Sequence, residues 1–218
     1  MDEPMHLARR LRHTLSDTAR DLGPDAPTLC DPWSVRELLA HLVVRERRPD
    51  VLPGILLGST VFGRHTERVQ AAVAEQDFAQ LVDRVRSGPP AWSPTSVPVL
   101  DERVNTTELL VHLEDVRRAQ PGWAPAPADD DVDAAAWTAV TAAGRLHYRS
   151  APVGVVLVAP GRGRALVRRP PTGRSSVVVT GAPLELLLHA VGRTAAAHVQ
   201  LDGEPQAVSA LTAQERSV

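Results

Sequence analysis

The apolar residues of this chain change their period at Ala151-Pro152, and that switch constrains the fold more than any other feature. Before it, they recur at helical spacing in stretches stopped by proline and glycine. After it, they come in short valine-rich runs separated by glycine turns. The expectation is a helical domain over 1–150, a four-helix bundle with an extra helix, followed by a small α+β domain over 151–218. A chain of 218 residues is long enough to bury such cores without disulfide staples.

The first predicted helix is Pro4–Leu22, with Leu7, Leu11, Leu15 and Leu22 on one stripe and Gly23-Pro24 as its stop. A loop carrying Cys30 leads to Ser34, which has Glu37 three residues on. That pair is a capping box, and Val35, Leu38, Leu39, Leu42 and Val43 follow it at helical period. Pro49 interrupts the run, and Pro53-Gly54 loosens the chain before Ile55–Leu57. The periodicity predicts one helix over Thr66–Arg86, another over Leu100–Ala119 and a fifth over Asp129–Arg149. Three aspartates lie near the start of the fifth, where the helix dipole favours them. Val153–Val158 and Ala165–Arg169 flank Gly161-Arg162-Gly163 as a hairpin. Ser175–Thr180 reads as a third strand, Leu184–Val191 as a helix, His198–Leu201 as a short strand and Pro205–Ala213 as a last helix.

Composition removes several functions. The apolar runs Leu38–Val44 and Val153–Ala159 are too short to cross a bilayer, so no membrane partner is expected. A net charge of −2 marks no general nucleic-acid binder. All 24 basic residues are arginine, which excludes Schiff-base chemistry and a P-loop. The single cysteine, Cys30, excludes an internal disulfide and a cysteine-rich zinc site. The charged start, MDEPMHLARRLRH, lacks the apolar region of a signal peptide, which points to the cytoplasm.

Chemistry concentrates on two helices. Glu108 and His112 are four apart, stacked about 6 Å along one face of a helix. Val104 and Val111 are placed on the same stripe, so the pair is expected to face the core. His41 sits inside the apolar run Leu38–Val44 of another helix. Buried imidazole and carboxylate are costly unless paired or bound to metal. Two imidazoles and one carboxylate suit a divalent cation, zinc above all, with one position left open. Alternatively, Glu and His at this spacing arise often on helix surfaces, and Glu108 could pair with an Asn105 cap. Cys30 reads as a small buried apolar residue rather than a reactive thiol. Arg45, Glu46, Arg47, Glu114, Asp115, Arg117 and Arg118 read as a solvated ion-pair network. The tryptophans Trp33, Trp92, Trp123 and Trp137 read as core and loop anchors.

The segment CDPWSVRELLAHL (Cys30–Leu42) resembles the second-helix motif of the DinB superfamily, and within it the branch of mycothiol-dependent maleylpyruvate isomerases. Val43–Asp50 and Glu108–Trp123, with HLEDVRR (His112–Arg118) inside, look like an actinobacterial subgroup of metal-binding proteins in that branch. The resemblance spans nearly the whole chain. It implies a DinB-like bundle followed by a C-terminal domain like that of the isomerases, and metal ligands at His41, Glu108 and His112. It also implies a catalytic arginine at Arg193, which would bind a substrate carboxylate. Subgroup members often carry two consecutive histidines where this chain has His112-Leu113; the ligand position itself is retained. The function implied is a zinc-dependent transferase or isomerase. Its partners are a low-molecular-weight thiol, mycothiol foremost, as co-substrate and an electrophilic substrate. A non-catalytic metal- or ligand-binding module and a metal-dependent hydrolase are the competing readings.

Overall fold

The structure is a computed structural model that describes residues 6–48, 60–127 and 129–214. The predicted features at Pro53-Gly54 and Ile55–Leu57 lie outside those residues. The chain forms two compact units, Met1–Pro125 and Ala126–Val218.

The first unit is helical. Helix α1 (Leu7–Leu22) buries Leu7, Leu11 and Leu15, the stripe read from the sequence, while Leu22 is exposed. Helix α2 (Val35–Arg47) starts at the predicted capping box, where Glu37 accepts from the Ser34 backbone N–H at 2.9 Å and from its hydroxyl. The single helix expected over Thr66–Arg86 is two: α3 (Thr60–Ala74) and α4 (Phe78–Ser87). The break is made by Asp77, whose carboxylate caps α4 by accepting from Gln80 N at 3.1 Å. Helix α5 (Pro98–Arg118) begins with proline in its first turn, slightly ahead of the predicted start. Helix α1 packs on α4 and α5, and α2 packs on α3 and α4.

The second unit opens with α6 (Asp130–His147), capped by Asp129, which accepts from the backbone N–H of Asp131 and Val132. A four-stranded sheet follows, made of β1 (Gly154–Ala159), β2 (Gly163–Arg168), β3 (Ser176–Thr180) and β4 (Gln200–Asp202), in the order β2-β1-β3-β4. The predicted hairpin is present: β1 and β2 are antiparallel, with Leu157 opposite Ala165. Strand β3 joins β1 in parallel and β4 in antiparallel. Helices α7 (Pro183–Ala190) and α8 (Pro205–Thr212) complete the unit. Strand β1 is covered on both faces, whereas β3 alternates, with Val177 and Val179 buried.

The boundary differs from the one read at Ala151-Pro152. Helix α6 belongs to the second unit, because its buried face of Ala136, Val140 and Gly144 packs on α7 and β2. The approach is close at Gly144, where a Cβ would come within 2.6 Å of Val167 Cγ1. Gly144→Ala is therefore expected to cost about 1–3 kcal/mol by overpacking, read as a lower urea midpoint. An unchanged midpoint would show that α6 and β2 yield freely there. No helix among the described residues is long and apolar enough to cross a membrane.

Candidate metal centre

The functional face of α5 is polar, not apolar. Asp101, Asn105, Glu108, His112 and Asp115 recur at alternating spacings of four and three, one stripe of a helix. Asn105, His112 and Asp115 are buried, while Val104, placed on that stripe by the sequence reading, is 47% exposed. Leu109, Leu110, Val111, Leu113 and Val116 flank the stripe and are buried.

At the centre of the stripe, His41 of α2 meets Glu108 and His112. The ligand-type atoms of these three residues lie within 4.8 Å of one another. The imidazoles of His41 and His112 meet edge to face, with centroids 5.4 Å apart. His112 Nε2 is 3.5 Å from Glu108 Oε2. The indole of Trp33 packs on His41 at 5.1 Å, and Gln70 hydrogen-bonds His41. Trp33 is thus more than a loop anchor. Trp92 is no anchor at all, being 62% exposed.

The other nitrogen of His112 is also occupied. Nδ1 lies 3.0 Å from Oδ2 of Asp115, a wholly buried carboxylate. That contact orients the ring and fixes the proton on Nδ1, which leaves Nε2 for a ligand; carboxylate–histidine pairs support metal sites in this way. Cys30 donates its S–H to the same Asp115 oxygen at 3.0 Å. The Cys30 loop is pinned to α5 by Leu29 N donating to Asp115 O at 3.0 Å.

Electrostatics favour donors ready for a cation at two of the three positions. Burial, helped by the His112 charge, lowers the His41 pKa to about 4, so that imidazole is neutral. Burial opposes the Glu108 charge, but the His112 hydrogen bond and Arg45 outweigh it and lower its pKa to about 2. Burial opposes the His112 charge as well, yet Asp115, Cys30 and Glu108 raise its pKa well above the ordinary value. Arg45 stands 3.7 Å from Glu108 and donates to Asn105 Oδ1 at 2.5 Å, so it holds one end of the stripe. The chemistry of the donor set, two imidazoles and a carboxylate converging on one point, fits a divalent cation such as zinc.

The sequence reading brought together His41, Glu108 and His112, and the structure places them side by side. Arg193 lies in the second unit, buried, with its guanidinium donating to Val191 O at 3.0 Å. Asp115 and Glu114, expected in a solvated network, are both buried; Glu114 pairs with Arg117 and Arg118, and Asp115 meets His112. Cys30 is half-buried and hydrogen-bonded rather than a plain apolar filler. The signal available for Asp115 was its place, three residues after His112, on the Asp101–Asn105–Glu108 stripe.

A mainly helical unit carrying a His/Glu/His donor set and joined to a small α+β unit defines the architecture. Two solved structures share this fold. One is the mycothiol-dependent maleylpyruvate isomerase, at 16% identity and TM-score 0.52, covering 90% of each chain. The other is a histidine-to-alanine variant of such an isomerase, at 14% identity and TM-score 0.55, again covering 90% of each chain. No family model matches the sequence, and no curated protein matches it.

Proposed function

We propose that this protein is a metal-dependent enzyme of transferase or isomerase type that uses a low-molecular-weight thiol such as mycothiol. In this reading the first unit is a DinB-like bundle and the second corresponds to the C-terminal domain of the isomerases. The observation that carries it is the convergence of His41, Glu108 and His112 on one polar stripe, with His112 buried and the other two half-buried. These three residues would hold the ion, zinc foremost. When bound, the ion supplies positive charge that favours a thiolate over a thiol near neutral pH. Asp115 accepts the proton-bearing Nδ1 of His112 and keeps Nε2 turned to the ligand side. Gln70 and Trp33 hold the ring of His41. Arg45 steadies the Glu108 carboxylate. Arg193 is assigned to a carboxylate of the electrophilic substrate, as a planar two-pronged donor.

The test is calorimetry of a mycothiol-like thiol with the zinc-loaded protein, in two buffers of different ionisation enthalpy. Binding with proton release, lost in Glu108→Ala, is expected. Equal heats in both buffers, or binding undiminished in the variant, would leave a metal-binding module as the better reading. Asp115→Asn tests the support of His112 separately: it should weaken zinc about 10–100-fold in a chelator competition. Unchanged affinity would mean that Asp115 does not orient the ligand.

A further inference from the structure

His112 belongs to two sets of donors. Its Nε2 faces Glu108, while its Nδ1 faces Asp115 and Cys30. The second set is as compact as the first. Cys30 Sγ is 3.0 Å from Asp115 Oδ2 and 3.8 Å from His112 Nδ1, and the Asp115 to His112 distance is 3.0 Å. Ligands at about 2.0 Å (N, O) and about 2.3 Å (S) around a tetrahedral cation stand roughly 3.3–3.6 Å apart. The three atoms therefore already sit near the corners of such a coordination shell, and shifts of a few tenths of an ångström complete it.

The sulfur is held there by its loop. Thr28 Oγ1 donates to Trp33 O at 2.7 Å and accepts from Cys30 N at 3.1 Å, and Trp33 N donates to Cys30 O at 2.8 Å. Asp115 is fully buried, where a carboxylate needs charge-bearing or proton-donating partners. Cys30 is not in a disulfide and is half-exposed, so an ion has a route to it.

We propose that Cys30, Asp115 and the Nδ1 of His112 form a second cation site, selective for thiophilic ions such as Cd2+, Cu+ and Zn2+. A thiolate in the set selects soft and borderline cations over hard ones. On binding, the thiol proton and the Nδ1 proton of the His112 imidazolium leave to solvent, and the remaining imidazole proton resides on Nε2. His112 is then withdrawn from His41 and Glu108, so the two sites exclude each other at one ion per chain. Thiophilic cations thereby act as competitors of the first site without touching His41 or Glu108.

The experiment is a Cd2+ titration of the metal-free protein, followed by the ultraviolet sulfur-to-cadmium charge-transfer band. Cys30 is the only cysteine, so any such band reports it alone. The band should saturate at one ion per chain, persist in Glu108→Ala and His41→Ala, and vanish in Cys30→Ser. In Asp115→Asn and His112→Ala its half-saturation should rise at least about tenfold. Zinc held by the first site should be retained in Cys30→Ser, so the two sets fail separately; circular dichroism checks each variant's fold. Absence of the band in the wild type overturns the proposal. So does a band whose half-saturation is unmoved in Asp115→Asn and His112→Ala, which would mean adventitious binding at a surface thiol.

Discussion

Arg12→Ala should destabilise the first unit by about 3–5 kcal/mol, measured by urea denaturation at neutral pH. Arg12 lies on α1 and is 2% exposed. Its guanidinium reaches Glu46 of α2 at 2.5 Å and Asp101 of α5 at 2.6 Å. Burial works against the arginine charge, but Glu46 and Asp101 outweigh it and raise its pKa above the usual range. The triad thus ties three helices through one cation. Removing the cation leaves two carboxylates side by side, with the Glu46 side chain only 4% exposed and only the charges of Arg45 and Arg47 left to offset it. That is the costly way to break a buried pair; replacing all members together by apolar residues is often nearly neutral. A triple variant, Arg12→Met with Glu46→Leu and Asp101→Asn, should therefore recover most of the loss. A loss under about 1 kcal/mol for Arg12→Ala would place the triad among weak exposed pairs.

This triad also explains what the sequence disclosed and what it hid. The sequence places Glu46 and Asp115 in a solvated network, since charged residues are usually exposed. Asp101 hydrogen-bonds Asn105, Asn105 accepts from Arg45, and Arg45 stands beside Glu108. The chain of contacts continues through His112 to Asp115 and Cys30. Such a stripe has the period of a helix face but the composition of a surface, so periodicity of apolar residues passes over it. Spacing alone leaves Glu108 and His112 open between a metal pair and a surface pair; the family resemblance singles them out together with His41, an imidazole in an apolar run. The capping box at Ser34 and the hairpin around Gly161 were legible because their chemistry is local. The break between α3 and α4 was not: Val69, Val73, Leu81, Val82 and Val85 continue a plausible period across it, and no proline or glycine marks it. Where the compact units divide is a separate matter. Period reports what kind of element a segment forms, not which layer it packs on, and α6 is a helix that packs on a strand.

Zinc affinity of the His41/Glu108/His112 set should rise about tenfold per pH unit through the neutral range, because one proton must leave for each ion bound. Glu108, lowered to about 2, is already ionised at neutral pH, and His41, lowered to about 4, is already neutral. Neither supplies a proton there. His112 differs. Its pKa lies well above the ordinary value, since Asp115, Cys30 and Glu108 outweigh the burial that opposes its charge. The metal-free protein therefore carries an imidazolium, and Nε2 must give up its proton before it can act as a ligand. The sign follows: lower pH favours the proton over the ion, and higher pH favours the ion until His112 titrates, above which affinity levels off. Chelator competition at a series of pH values measures the slope, and calorimetry in two buffers counts the proton directly. His112→Ala should remove both the slope and nearly all the affinity, while the helices persist, because the core of Leu15, Leu38, Leu39 and Leu81 is buried without any contribution from the ion. A flat pH dependence in the wild type would mean that His112 is neutral before the ion arrives and that Asp115 orients the ring without holding a second proton on it.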